Sequence, residues 1–179
     1  MIEVADLESV KSYWKKLVDL YVECFAEPPW YEVISIRDAE EWFREMLIYP
    51  KNTSLIFIRD GISIGATFAF PLLYKQDVAA YLNGNISQED TLYFAEIFVE
   101  KRYRNKSIGT LLYGRTLELG KSKGFTHAVV RTNFSSKMFP ILEKDGFETI
   151  GEQNVTSLKE IEGKRIEIPD KRGIFLKKL

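Results

Sequence analysis

The sequence predicts one mixed α/β domain on a central mixed sheet, and three observations predict it. Apolar spacing alternates between helical and strand periods, giving the order α-α-β-β-β-α-β-α-β-β. Two apolar runs flank Asp60-Gly61, a hairpin signal because that turn needs positive φ. The β-α-β-α portion after residue 90 predicts a locally parallel strand pair with a right-handed crossover. The 179 residues fit a single domain over 1–179, since domains run at roughly 100–200 residues. No internal repeat or Pro/Gly/Ser-rich linker divides them.

In chain order, Leu7, Val10, Trp14, Leu17, Val18, Tyr21, Val22 and Phe25 follow a helical period with Asp6 as N-cap. Pro28-Pro29 ends that helix. Ser35-Ile36-Arg37-Asp38 opens a second helix with the stripe Ile36, Ala39, Phe43, Met46 and Leu47, which Pro50 ends. Strands are expected at Leu55–Ile58, Ile62–Phe68 and Thr91–Val99. A third helix starts at Ile108 and ends around Gly120–Gly124, and a strand follows at Thr126–Arg131. A fourth helix lies within Ser136–Lys144, where Pro140 makes it start late or kink, and Gly146 stops it. Phe147–Val155 and Gly173–Leu179 read as closing strands.

Composition narrows the function. Apolar residues make up 45% and charged residues 28%, which excludes a disordered or low-complexity chain. The net charge of -1 argues against nucleic acid or anionic lipid as partner. That total conceals an asymmetry: residues 1–100 carry 8 basic and 17 acidic residues, and residues 101–179 carry 17 and 9. Met1 leads into a charged amphipathic stretch with no apolar signal-peptide core. The longest uncharged run, Gly61–Tyr74, is shorter than the roughly 18 residues that span a bilayer, so no membrane is expected. The lone cysteine, Cys24, forms no intrachain disulfide and suits a cytoplasmic protein, and it reads as a small buried residue. With one His, His127, beside it, the chain is not expected to use a metal, and a triad hydrolase is disfavoured.

The chemistry concentrates in Glu96–Thr110, where a strand runs through a basic turn into a helix. Helix N-termini present unpaired amides and partial positive charge, a ready phosphate site. Lys101, Arg102, Arg104 and Lys106 add charge, and Ser107 and Gly109 allow close approach. The same residues also read as a solvated basic turn before an amphipathic helix. Arg104-Asn105-Lys106-Ser107-Ile108-Gly109 resembles the signature of the GNAT superfamily of acetyl-CoA-dependent N-acetyltransferases, Arg/Gln-x-x-Gly-x-Gly/Ala, with Ser107 at the first Gly. Glu143-Lys144-Asp145-Gly146-Phe147 is similar to that family's closing Glu-Lys-x-Gly-Phe element. The resemblance covers about residues 50–179, and the two opening helices fit it.

The resemblance implies a central mixed sheet with splayed parallel strands and about four helices. Ile97, Phe98 and Val99 would bond the pantetheine and acetyl groups of acetyl-CoA, as in strand addition. Arg104, Asn105, Lys106, Ser107, Ile108, Gly109 and Thr110 would hold the pyrophosphate. Glu96 would accept the proton of a primary amine that attacks the thioester directly in a ternary complex, or else be a solvated strand charge. Leu142 stands where relatives carry a Tyr general acid. Asn133 and Ser135 would also bind the cofactor: Asn133 is farther from Gly146 than the family's usual Asn, and counting back without a gap gives Ser135. Ser135 and Ser136 are the available substitutes, and a thiol leaving group does not strictly require an acid. The competing reading is a catalytically inactive acyl-CoA-binding or interaction domain. The acceptor, the acyl group and a monomeric or homodimeric state are left open.

The loop before the second helix packs Trp30, Tyr31 and Glu32 together. It reads as an acceptor-binding wall, with the rings against a cationic amine and Glu32 pairing with it, or as a rigid, hydrophobically anchored loop. Tyr74, Tyr81 and Asn83 are expected on the opposite wall. Together these readings make the domain a dipole: basic toward the cofactor and acidic toward the acceptor.

Overall fold

The computed structural model describes residues 1–82 and 84–179. One seven-stranded mixed sheet carries the fold. In chain order the elements are β1 (Ile2–Val4), α1 (Trp14–Ala26), α2 (Ile36–Ile48), β2 (Leu55–Arg59), β3 (Ile62–Pro71), α3 (Gln76–Ala79) and β4 (Thr91–Val99). There follow α4 (Ile108–Ser122), β5 (His127–Asn133), α5 (Phe139–Lys144), β6 (Glu148–Ile161) and β7 (Lys164–Lys178). The expected order recurs with two additions, β1 and α3. β1 is an edge strand pairing with β2, too short to show a period. Among the described residues five α-helices therefore stand where about four were expected.

Local chemistry explains most boundaries. Ser35 Oγ accepts the Asp38 amide and caps α2. Asp60 and Gly61 both take positive φ between β2 and β3. Pro140 sits in the first turn of α5, so that helix starts late rather than kinking. Asp6 does not cap α1: its Oδ1 accepts the amides of Glu8 and Ser9, closing a separate turn, and the helix begins at Trp14. β6 and β7 run far beyond expectation, joined through Glu162-Gly163 at positive φ into a long arm.

The core lies on both faces of the sheet. Phe43, Phe68, Phe70, Phe98 and Ile174 pack with α1 and α2 on one face. Leu92, Phe94, Ala128, Val130 and Phe175 pack with α4 and α5 on the other. Among the described residues no helix is long and apolar enough to cross a membrane.

The feature that positions the site lies at the centre of the sheet. β4 and β5 are parallel and paired only from Thr91↔His127 to Phe94↔Val130. Beyond that point β5 keeps its pairing with β7 up to Asn133↔Arg172, while among the described residues Glu96–Val99 pair only with β3 and Ala95 with no strand. One main-chain edge of β4 is thus left open.

Candidate active site

A cleft of about 680 Å³ opens at this splay. β4 supplies its floor through Ala95–Val99, the turn and first residues of α4 one end, and α1, Trp30 and Glu32 the other. On β3, Phe68 pairs with Glu96 and Ala69 with Phe94, so Ala95 is an extra residue, a β-bulge. Ala95 and Glu96 consequently turn toward the same face, that of α1 and α2. Without the bulge, Glu96 would share the side of Phe94 and point at α4.

Glu96 is therefore held by side chains from both opening helices. Trp42 Nε1 donates to its Oε1 at 3.1 Å and Tyr21 Oη at 3.4 Å. Burial pushes its carboxyl up from an ordinary 4.5 to about 7; the Trp42 hydrogen bond and the guanidinium groups of Arg172 and Arg131 oppose the rise, and the nearby Glu32 charge adds to it. A carboxyl of that kind accepts a proton near neutral pH.

At the other end, α4 begins after two residues in the left-handed region, Asn105 (φ 59°) and Ser107 (φ 61°). Leu111 N is the first amide to bond back to Ser107 O, which leaves Ile108, Gly109 and Thr110 with amides free at the helix start. Ile97, Phe98, Val99, Arg104, Asn105, Ser107, Ile108, Gly109 and Thr110 all line the cleft. Lys106 does not: its ammonium lies 5.5 Å over the Tyr103 ring. The Arg104 guanidinium turns inward, donating from Nε to Val99 O at 2.8 Å, from Nη2 to Cys24 Sγ at 3.2 Å and from Nη1 to Glu27. Its charge anchors the turn to the end of α1. Cys24 is accordingly only partly buried, with burial raising its thiol and Arg104 opposing.

Asn133 and Ser135 lie outside the cleft lining. Asn133 Oδ1 accepts Ser135 N and Oγ, and its Nδ2 donates to Asp170, so the pair closes a turn beyond β5. Ser136, Lys137, Met138 and Ile141 reach the cleft from that segment. Leu142 is fully buried in the core and points away from the cleft.

On the acceptor side, Trp30 and Glu32 line the cleft and Tyr31 does not. Glu32 Oε1 already accepts from Arg172 Nη2 at 2.5 Å and from Ser157 Oγ at 3.3 Å. The cation over Trp30 is also the protein's own, the Arg172 guanidinium at 5.3 Å. Tyr74 stacks on Tyr49 and Tyr81 packs under Gly151, so neither forms the opposite wall; Asn83 lies outside the described residues. The acidic pole is corrected too. Lys75, Arg104, Arg131, Lys137 and Arg172 line the cleft against only two carboxylates, Glu32 and Glu96. Much of the first half's negative charge sits on outer helix faces, in pairs such as Lys15–Asp19, Arg37–Glu41 and Arg44–Glu40.

Tyr21, Trp42, Arg131 and Arg172 are site residues the sequence reading missed. They come from four elements and share no local motif. The nearest signal was polar atoms within otherwise apolar stripes.

The chain matches the model of the acetyltransferase (GNAT) family over residues 14–139. In fold it is similar to ribosomal-protein-alanine N-acetyltransferase from Brucella melitensis, with a TM-score of 0.70 at 14% identity, covering 100% of this chain and 99% of that one. It is also similar to Drosophila melanogaster polyamine N-acetyltransferase, which forms N-acetylagmatine (TM-score 0.67, 14% identity, 100% and 99% covered). A third similar structure is yncA from Salmonella typhimurium with its cofactor acetyl-CoA (TM-score 0.65, 13% identity, 99% and 92% covered). No curated protein sequence matches the chain. Identities this low speak for fold alone, whereas the family model spans well over half of the sequence, including the splayed strand and the turn into α4: the chain belongs to the acetyltransferase (GNAT) family.

Proposed function

We propose that the protein moves an acetyl group from acetyl-CoA to a primary amine by direct attack in a ternary complex. The observation that carries this reading is the open edge of Ala95–Phe98, ending at the Val99 carbonyl that Arg104 takes, beside the free amides of Ile108–Thr110 and with Glu96 facing α1 and α2. The open edge fits an extended pantetheine arm, and the helix start fits a pyrophosphate. Acetyl-CoA supplies an activated acyl group whose thiol, with a pKa of about 8.5, is a fair leaving group without a dedicated acid.

The remaining work falls to the chain. Tyr21 and Trp42 fix Oε1 of Glu96, which leaves Oε2 with no donor among the described residues and available to the amine. As the amine nitrogen bonds to the acyl carbon and the carbon–sulfur bond breaks, Glu96 takes the amine proton, directly or through water. A carboxyl near 7 is better matched to this than one at 4.5, because an alkyl ammonium titrates at about 10.4.

The buried Leu142 favours a second reading, a non-catalytic acyl-CoA-binding domain. Calorimetry with acetyl-CoA tests what both readings share. Wild type should bind, and Gly109→Asp, which sets a carboxylate among the helix-start amides, should bind at least tenfold more weakly. No binding by wild type at high micromolar ligand refutes both. A thiol-release assay over small amines and peptides then separates them: binding with no release on any acceptor selects the second.

A further inference from the structure

Glu32, Arg131 and Arg172 line both the main cleft and a second cavity of about 300 Å³. Val33, Ile34 and Val155–Leu158 complete that cavity beneath the outer part of the β6–β7 arm. Two largely buried guanidinium groups beside the acceptor pocket carry only N–H donors and offer no acceptor to a plain alkyl ammonium.

The two arginines differ in how they are satisfied. Arg172 is engaged on every side, donating to Glu32, Ser157 and Asp170 and lying over Trp30. Among the described residues Arg131 bonds only through Nη1, to Asp77 Oδ2 and Gln153 Oε1, each at 2.7 Å. Its Nε is buried without an acceptor, and Nη2 donates to none of the described residues. A guanidinium is a planar fork of five N–H donors, and its Nε–Nη2 edge matches the two oxygens of a carboxylate. That whole edge is unmatched here, in a side chain only 13% exposed. Arg131 follows directly on the last β4–β5 pair, Phe94↔Val130, so it stands where the strands part. Its β5 neighbour two residues back, Val129, packs in the α1–α2 core, which places Arg131 on the same face as Tyr93 and Glu96.

We propose that the acceptor amine is a small amino acid whose carboxylate docks on the Nε–Nη2 edge of Arg131, with its amine at Glu96 and its remaining substituent in the 300 Å³ cavity. The inference rests on the acetyl-transfer reading for the amine's role, while the carboxylate site stands on Arg131 itself. Arg172 holds the Glu32 carboxylate in its own ion pair.

The test compares a set of free amino acids with their carboxamides. Binding is measured by calorimetry in the presence of CoA, and thiol release from acetyl-CoA is measured on the same proteins. At least one amino acid should bind tenfold or more tightly than its carboxamide. Arg131→Gln should abolish that preference. Arg131→Lys, which keeps a cation for Asp77 but has no fork, should cut it below threefold while circular dichroism stays as in wild type. The proposal is overturned if no amino acid outbinds its carboxamide, or if the preference survives both substitutions. Carboxylate-dependent binding without thiol release from any amine would sink the transfer reading and uphold the carboxylate site.

Discussion

Replacing Glu96 by Gln tests the heart of the site through stability and rate together. The carboxyl rises from 4.5 to about 7 on folding. Folded protein therefore holds the Glu96 proton more tightly than unfolded chain does, so this group favours folding at low pH and loses that advantage as pH climbs through about 7. At about 1.36 kcal/mol per pH unit, the gap between those values amounts to about 3.4 kcal/mol when both states are ionised. Between pH 5.5 and 8.5 the loss is about 2 kcal/mol, because part of it has already occurred at the lower pH. Glu96→Gln keeps the shape and has nothing to titrate. Urea unfolding of both proteins at the two pH values should therefore show the variant gaining about 2 kcal/mol on wild type at pH 8.5 relative to pH 5.5. In the thiol-release assay the same variant should lose roughly 10²- to 10⁴-fold in rate, together with the limb of the pH profile near 7. If both proteins change stability in parallel over this range, burial is not holding the carboxyl up, and the case for Glu96 as base fails.

Three further outcomes follow from the geometry. Ser107→Gly removes a side chain from φ 61° and should stabilise the fold by about 0.5–1 kcal/mol, raising Tm by a few degrees; a fall in Tm would mean that the Ser107 side chain contributes to the turn. Leu142→Tyr should not supply an acid, because position 142 lies in the closed core; scanning calorimetry should show about 1–3 kcal/mol lost to overpacking, and thiol release should not rise. Gly65→Ala would place a methyl 2.9 Å from Phe98 O and push β3 off β4, so urea unfolding should show a loss of about 1–3 kcal/mol and calorimetry a weaker grip on acetyl-CoA.

The sequence was most readable where local chemistry and tertiary need coincide. β4 was expected at the residues it occupies, Asp60-Gly61 turns the hairpin, and Ser35 caps its helix, since each signal lies within a few residues of its effect. Asp6 shows the limit: it caps something, but packing decides that the helix starts eight residues later. The outer β6–β7 arm alternates charged and apolar residues on a surface with little core, so no strong apolar period announced it. The acceptor side was least readable. Glu32 looked like a free carboxylate until Arg172, 140 residues away, was seen to occupy it. The splay itself was expected only through family resemblance, because a strand that loses one partner carries no mark of the loss in its own residues.

The bulge at Ala95 makes β4 a strand with two phases. Thr91–Phe94 and Glu96–Val99 each obey the alternation of a pleated ribbon, but the two stretches are out of step by one residue. The extra residue lets one short segment aim Tyr93 and Glu96 at the same helices while Phe94 and Ile97 serve the opposite layer. Shortening the chain by that single alanine would leave the composition almost unchanged and bring the phases together. Glu96 would then follow Phe94 directly and both stretches would keep their faces; a flat register that kept Ala95 without a bulge would instead send the carboxylate to the side of Phe94. Insertions and deletions are usually borne by loops; in this protein a central strand carries one extra residue, and the bulge absorbs it so that Glu96 faces α1 and α2.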